Sequence, residues 1–142
     1  MTTMNEEKSL SESPAEVEAW ARGAVAEAVD LLAKRGLFST VTIEARPAWV
    51  LPDIALIGRI REQGSQDSFY WFICGAFPTD CVRSDVAADP RAAARHFSLQ
   101  WHLDADRMGE QGKGLLERAE VLHELAEDDV FLARKHFIAY LT

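Results

Sequence analysis

Polar and titratable side chains gather where an apolar run ends. Thr79 and Asp80 follow Phe77-Pro78, and Arg91, Arg95 and His96 follow Asp89-Pro90. A strand end, a turn and a helix start would meet there, and helix N-termini attract anions because their first amides lack intrahelical partners. One reading of the set is a polar site for a small-molecule ligand, or for an enzyme, at the exit of the apolar run. The plainer reading is turn and capping chemistry, with Thr79 and Asp80 satisfying local amides, Asp89 capping a helix and both arginines in solvent. Trp49, between Pro47 and Pro52 beside a strand end, joins the candidates as a partly exposed aromatic able to anchor an interface.

Other chemistries find less to stand on. His96 and His102 are six apart on one expected helix, which turns them to different faces instead of the i,i+4 arrangement a metal wants. Glu120-x-x-His123 has the spacing of di-iron bundles, but those need the motif twice with two further carboxylates. Cys74 and Cys81 match no zinc or redox spacing, and Cys74 falls inside the apolar run, where a thiol packs as a small apolar group. There is no G-x-S-x-G elbow, and the glycines at 109, 112 and 114 are flanked by Asp106 and Glu110, which would repel a phosphate. No catalytic residue, metal ligand or cofactor is assigned, and a non-enzyme is favoured.

The elements that must position these residues are organised around Phe69 to Phe77, an almost unbroken apolar run that reads as a strand covered on both faces and ended by Pro78. Before it, Ser13-Pro14-Ala15-Glu16 marks a helix start, and apolar residues from Val17 to Leu32 recur at helical spacing, predicting a helix over Pro14 to Arg35 closed by Gly36. Thr40 to Arg46 alternates at period two and reads as a strand, with a bend or edge position between Pro47 and Pro52. Asp53 to Glu62 reads as a second strand, and Gln63 to Asp67 as a polar hairpin loop. After it, Arg83 to Ala88 reads as a linker. Asp89-Pro90 opens a helix to about Met108, whose stripe of Ala94, Phe97, Trp101, Ala105 and Met108 is widened by Leu99 and Leu103, predicting a well-buried helix. A last helical segment runs from Leu115 to Tyr140, as one helix or as two, since Asp128-Asp129 could cap a fresh one. The fold class is therefore α+β: an N-terminal helix, a three-stranded antiparallel meander, then two or three C-terminal helices packed on the sheet. Residues 1–12 read as a flexible acidic tail and 13–142 as a single domain. Both faces of the central strand need cover, from the chain's own helices or from another chain.

With 142 residues and a net charge of −8, the chain lacks the basic balance that nucleic-acid backbones select. No apolar run approaches the roughly 18 residues of a membrane span, and no leader pattern opens the sequence, so a cytoplasmic location is expected.

The phrases Arg46-Pro47-Ala48-Trp49-Val50-Leu51-Pro52, Phe77-Pro78-Thr79-Asp80 and Asp89-Pro90-Arg91 through His96-Phe97-Ser98-Leu99-Gln100-Trp101 together resemble a family of short uncharacterised bacterial proteins, a domain of unknown function spanning nearly the whole chain. The resemblance implies a bacterial cytoplasmic protein and transfers no activity or site residue. At the level of fold, a small acidic chain running helix, strands, helix is also similar to secretion chaperones. The expected function is a small acidic interaction module, adaptor-like, chaperone-like or immunity-like, that binds a protein partner or itself. A ligand site at Thr79, Asp80, Arg91, Arg95 and His96 is the alternative.

Overall fold

Ser13 Oγ accepts a hydrogen bond from the Glu16 amide at 3.1 Å and Pro14 takes the first helical position, so α1 (Pro14–Lys34) starts at its sequence cap. It closes through Gly36, at φ 79°, whose amide donates to the Ala33 carbonyl at 2.9 Å. The computed structural model describes residues 13–36, 38, 43–63 and 69–128. The expected acidic tail, Thr40 to Thr42 and most of the Gln63 to Asp67 loop lie outside them.

Four antiparallel strands follow, β1 (Ile43–Leu51), β2 (Ala55–Glu62), β3 (Tyr70–Gly75) and β4 (Asp80–Arg83), in the spatial order β1-β2-β3-β4. The three-stranded meander is thus corrected to four strands. Asp80-Cys81-Val82-Arg83 has neither the length nor the periodicity of a strand, but pairing with β3, Phe72 opposite Cys81 and Ile73 opposite Asp80, gives its backbone the partners it needs. β1 is an edge strand, the position expected from Pro47 and Pro52, and it runs on through Pro47 to Leu51, with a register shift between Pro47 and Trp49 absorbing the irregularity. The β1–β2 turn places Pro52 second and Asp53, at φ 68°, third, with the Ile54 amide donating to the Leu51 carbonyl at 3.0 Å, as in a type II turn.

The helices divide between the two faces. On one side Val17, Ala21, Ala28 and Leu32 of α1 pack on Val50, Leu56, Ile60, Phe72 and Cys74. On the other, Trp49, Ile57, Trp71 and Ile73 meet Ala94, Phe97 and Trp101 of α2 (Pro90–Met108) and Ala119 and Leu122 of α3 (Lys113–Ala126). The strand period of two explains the division: Trp71 and Ile73 point one way, Phe72 and Cys74 the other. Burial, and after it the nearby Glu27, pushes the Cys74 thiol up to about 12, so it is a packed neutral group.

A single-turn 3₁₀ helix, Gly109–Gly112, joins α2 to α3, and Gly112 lies so close to Ala105 that a Cβ there would meet its Cα at 2.8 Å. Ser98 Oγ donates to the Ala119 carbonyl at 2.7 Å and ties the two helices midway. α3 ends at Ala126 with Glu127 as its cap, just before the Asp128-Asp129 pair that could divide the last segment, and the rest of the expected run to Tyr140 lies outside the described residues. One further correction concerns α2. Leu99, Leu103 and Met108, expected in its buried stripe, are 58%, 49% and 48% exposed, because the core side is set by Ala93, Ala94, Phe97, Trp101 and Ala105.

Gly58 is the tightest point of the sheet. A Cβ built on it would meet the Arg46 carbonyl and, at 2.8 Å, Cε1 of Phe72. The Gly58→Ala variant is therefore expected to lose about 2–4 kcal/mol in urea unfolding, since both obstructing groups are held by strand pairing and core packing.

Candidate functional site

The polar residues at the exit of β3 are positioned by β4 and by the start of α2, and each has a structural task. Asp80 Oδ1 accepts from the Cys81 amide at 2.9 Å, and its Oδ2 accepts from Trp101 Nε1 at 2.9 Å. The carboxylate thus joins the start of β4 to the middle of α2 and satisfies a buried indole. Asp89 Oδ1 accepts from the Ala92 amide at 2.8 Å as the N-cap of α2, with Pro90 at the first helical position.

Arg91 and Arg95 face elsewhere. Arg91 donates through Nε to the Ala126 carbonyl at 2.6 Å and through a terminal nitrogen to the Asp128 carbonyl at 2.9 Å. These are C-terminal acceptors of α3, where cations are favoured. Arg95 forms a two-pronged pair with Glu127 at 2.8 and 3.1 Å, and these hydrogen bonds hold the Glu127 carboxyl below its ordinary range. The structure brings Arg91 and Arg95 together at the end of α3, while Asp80 bonds a residue ten positions beyond Arg91, about 15 Å further along the helix axis. Thr79 and His96 are half-buried and complete no common cluster with them. The set read from sequence as one site is two separate tethers. Trp49, expected to be partly exposed, is corrected to a core residue with 1% exposure: the irregularity after Pro47 turns it and Ala48 toward α2 and α3.

Neither thiol is poised as a nucleophile. Burial raises Cys81 first, the Asp80 charge raises it further, and Arg35 opposes both. Among the described residues no group of three or more His, Cys, Asp or Glu side chains is arranged to hold a metal ion. No helix among them is long and apolar enough to cross a membrane.

Two concave surfaces stand out among the described residues. The first, about 660 Å³, lies on the side of the sheet that α2 and α3 cover, beyond the reach of those helices, and is lined by Glu44, Arg46, Arg59, Arg61, Phe69 and the Pro47–Ala48 step. Strand pairing sets Arg46 opposite Arg59 and Glu44 opposite Arg61. Arg61 Nε donates to Glu44 Oε1 at 2.9 Å, and the Arg59 guanidinium lies 5.1 Å from the Phe69 ring and 5.4 Å from the Trp71 ring. The second, about 830 Å³, lies at the α2–α3 connection between His102, Ala105, Asp106, Glu110, Lys113 and Leu116. The arginine cleft escaped the sequence reading. The alternation of β2 put Arg59 and Arg61 on one face, but Arg46 joins them only through the β1–β2 register.

A family model for a domain of unknown function, DUF4826, matches residues 15–132. The chain belongs to this family. The match takes in both tethers, both clefts and every described helix and strand but the first residue of α1, so the family's unit is the helix-covered sheet itself. All three phrases that carried the resemblance fall inside it. No curated protein matches the chain, and no solved structure matches it.

The tether at Asp80 can be tested through its charge. In Asp80→Asn the amide oxygen can still accept one hydrogen bond, but the negative charge that raises the Cys81 thiol is gone. The expected result is modification of Cys81 by a thiol reagent beginning at lower pH than in the wild type, with stability reduced by about 1–3 kcal/mol in Asp80→Ala and by less in Asp80→Asn. Reaction rates across a pH series and urea unfolding measure the two effects.

Proposed function

We propose that the protein is a non-enzymatic interaction module whose docking face is the outer side of α2, and that its partner is a second copy of the chain. The observation that carries this reading is the pair Leu99 and Leu103, four residues apart and so neighbours on one helical face, both turned to solvent. Single exposed leucines are common on soluble proteins. Two together on a helix crest, beside a cleft walled by Ala105 and Leu116, form an apolar surface that association would dry.

The spacing of the leucines suits self-pairing. A second α2 lying antiparallel across the first, about a two-fold axis between the leucines, would set Leu99 of each copy against Leu103 of the other. Such an isologous contact closes on itself. Drying the exposed part of each leucine contributes about 1 kcal/mol, so the dimer is of modest affinity. The use of Asp80, Arg91 and Arg95 as internal tethers supports an interaction role over catalysis.

Light scattering across a concentration series tests the proposal. The wild type is expected to pass from monomer to dimer as concentration rises. The double variant Leu99→Asp with Leu103→Asp is expected to remain monomeric and to melt within about 4 °C of the wild type, because exposed positions carry little folding energy. A wild type that stays monomeric throughout, or a double variant that still dimerises, would overturn it.

A further inference from the structure

The cleft over the start of β1 and the end of β2 has a charge balance opposite to that of the chain. Three guanidinium groups, from Arg46, Arg59 and Arg61, line it, and among the described residues Glu44 is the one carboxylate in its wall. The protein as a whole carries −8. Glu44 is already engaged by Arg61, at 2.9 Å. The Arg59 guanidinium lies over Phe69 and Trp71, and among the described residues no carboxylate is paired with it. Arg46 faces Arg59 directly across the two strands, a like-charge pairing that weakens a sheet unless an anion lies between the two heads.

These features point to one kind of guest. Guanidinium forks match the paired oxygens of carboxylates and phosphates, and a pre-oriented fork loses less freedom on binding than a mobile lysine would. Pro47, Ala48 and Phe69 supply an apolar wall beside the charges, and about 660 Å³ is the size of a small-molecule cleft. We propose that this cleft binds the oxyanion group, phosphate or carboxylate, of a small molecule, with Arg46 and Arg59 gripping the anion and Phe69 lying against the remainder. The site lies over the start of β1 and the end of β2 and owes nothing to the outer face of α2, so it stands or falls independently of self-association.

Inorganic phosphate and citrate, each titrated into the isotope-labelled full chain with sodium chloride holding the ionic strength constant, provide the probes. Backbone amide shifts are expected to move and saturate at residues 44–48, 57–61 and 69 with at least one of the two. A response to phosphate alone assigns a phosphate guest, a response to citrate alone a carboxylate guest, and a response to both a general oxyanion site. Arg46→Gln, an exposed change, should weaken binding at least about tenfold, and Arg46→Lys, which keeps the charge and loses the fork, by less. Arg83→Gln, on β4 and outside the cleft, should bind as the wild type does. Absence of saturable shifts with both anions, or equal binding by wild type and Arg46→Gln, overturns the proposal.

Discussion

Strand β3 has no solvent-facing side. Trp71 and Ile73 are buried against α2 and α3, Phe72 and Cys74 against α1, and both backbone edges are paired, with β2 on one side and β4 on the other. An apolar strand of this kind is stable only when two layers are present together, because losing either would expose two or more large side chains at about 2–5 kcal/mol each. The chain meets this demand by splitting its helices around the sheet. α1 precedes the strands and covers one face; α2 and α3 follow and cover the other. The polar residues near the strand's exit are used to hold that arrangement. Asp80 fixes α2 to β4 through Trp101, Arg91 and Arg95 fix the end of α3 to the start of α2, and Arg118 donates to the Ala76 carbonyl at 3.1 Å while lying over Phe77.

Cover on the second face is partial, and this is where functional surface appears. α2 and α3 reach the rows of the sheet containing Ile57 and Ile73 but leave the start of β1 and the end of β2 open, where Arg46, Arg59 and Arg61 project beside Phe69. A side chain on that face beyond the helices meets water, so charged residues replace the valines and isoleucines used elsewhere. The outer side of α2 follows the same logic in reverse. Its inner stripe of alanines and aromatics completes the core, and its two outward leucines answer to no packing need within the described chain.

Much of the architecture was legible because local signals agreed with tertiary demand. Ser13-Pro14 and Asp89-Pro90 open helices where they should, and the unbroken apolar run foretold a doubly covered strand. What escaped depends on register or on neighbours. β4 is four residues with a charge at each end, and only its partner makes it a strand. Trp49 changes face because one irregularity after Pro47 shifts the alternation of β1, and that shift cannot be counted from period two alone. Leu99 and Leu103 were read inward because a stripe covering nearly half a helix does not say which of its edges meets the core. The polar cluster at Thr79 to His96 looked convergent in sequence, but a helix carries successive turns away from one another: Arg91 bonds the end of α3 from the first turn of α2, and Trp101 bonds Asp80 from its middle.

The central claim is that β3 is enclosed on both faces by this chain's own helices. Amide hydrogen exchange by the native protein tests it most directly. Trp71, Phe72, Ile73 and Cys74 are expected to exchange only through global unfolding, with the slowest rates in the sheet, while amides of the edge strands β1 and β4 exchange faster through local opening. If the β3 amides exchanged as readily as those of β4, one of the two helical layers would not be holding the strand, and the account would be contradicted.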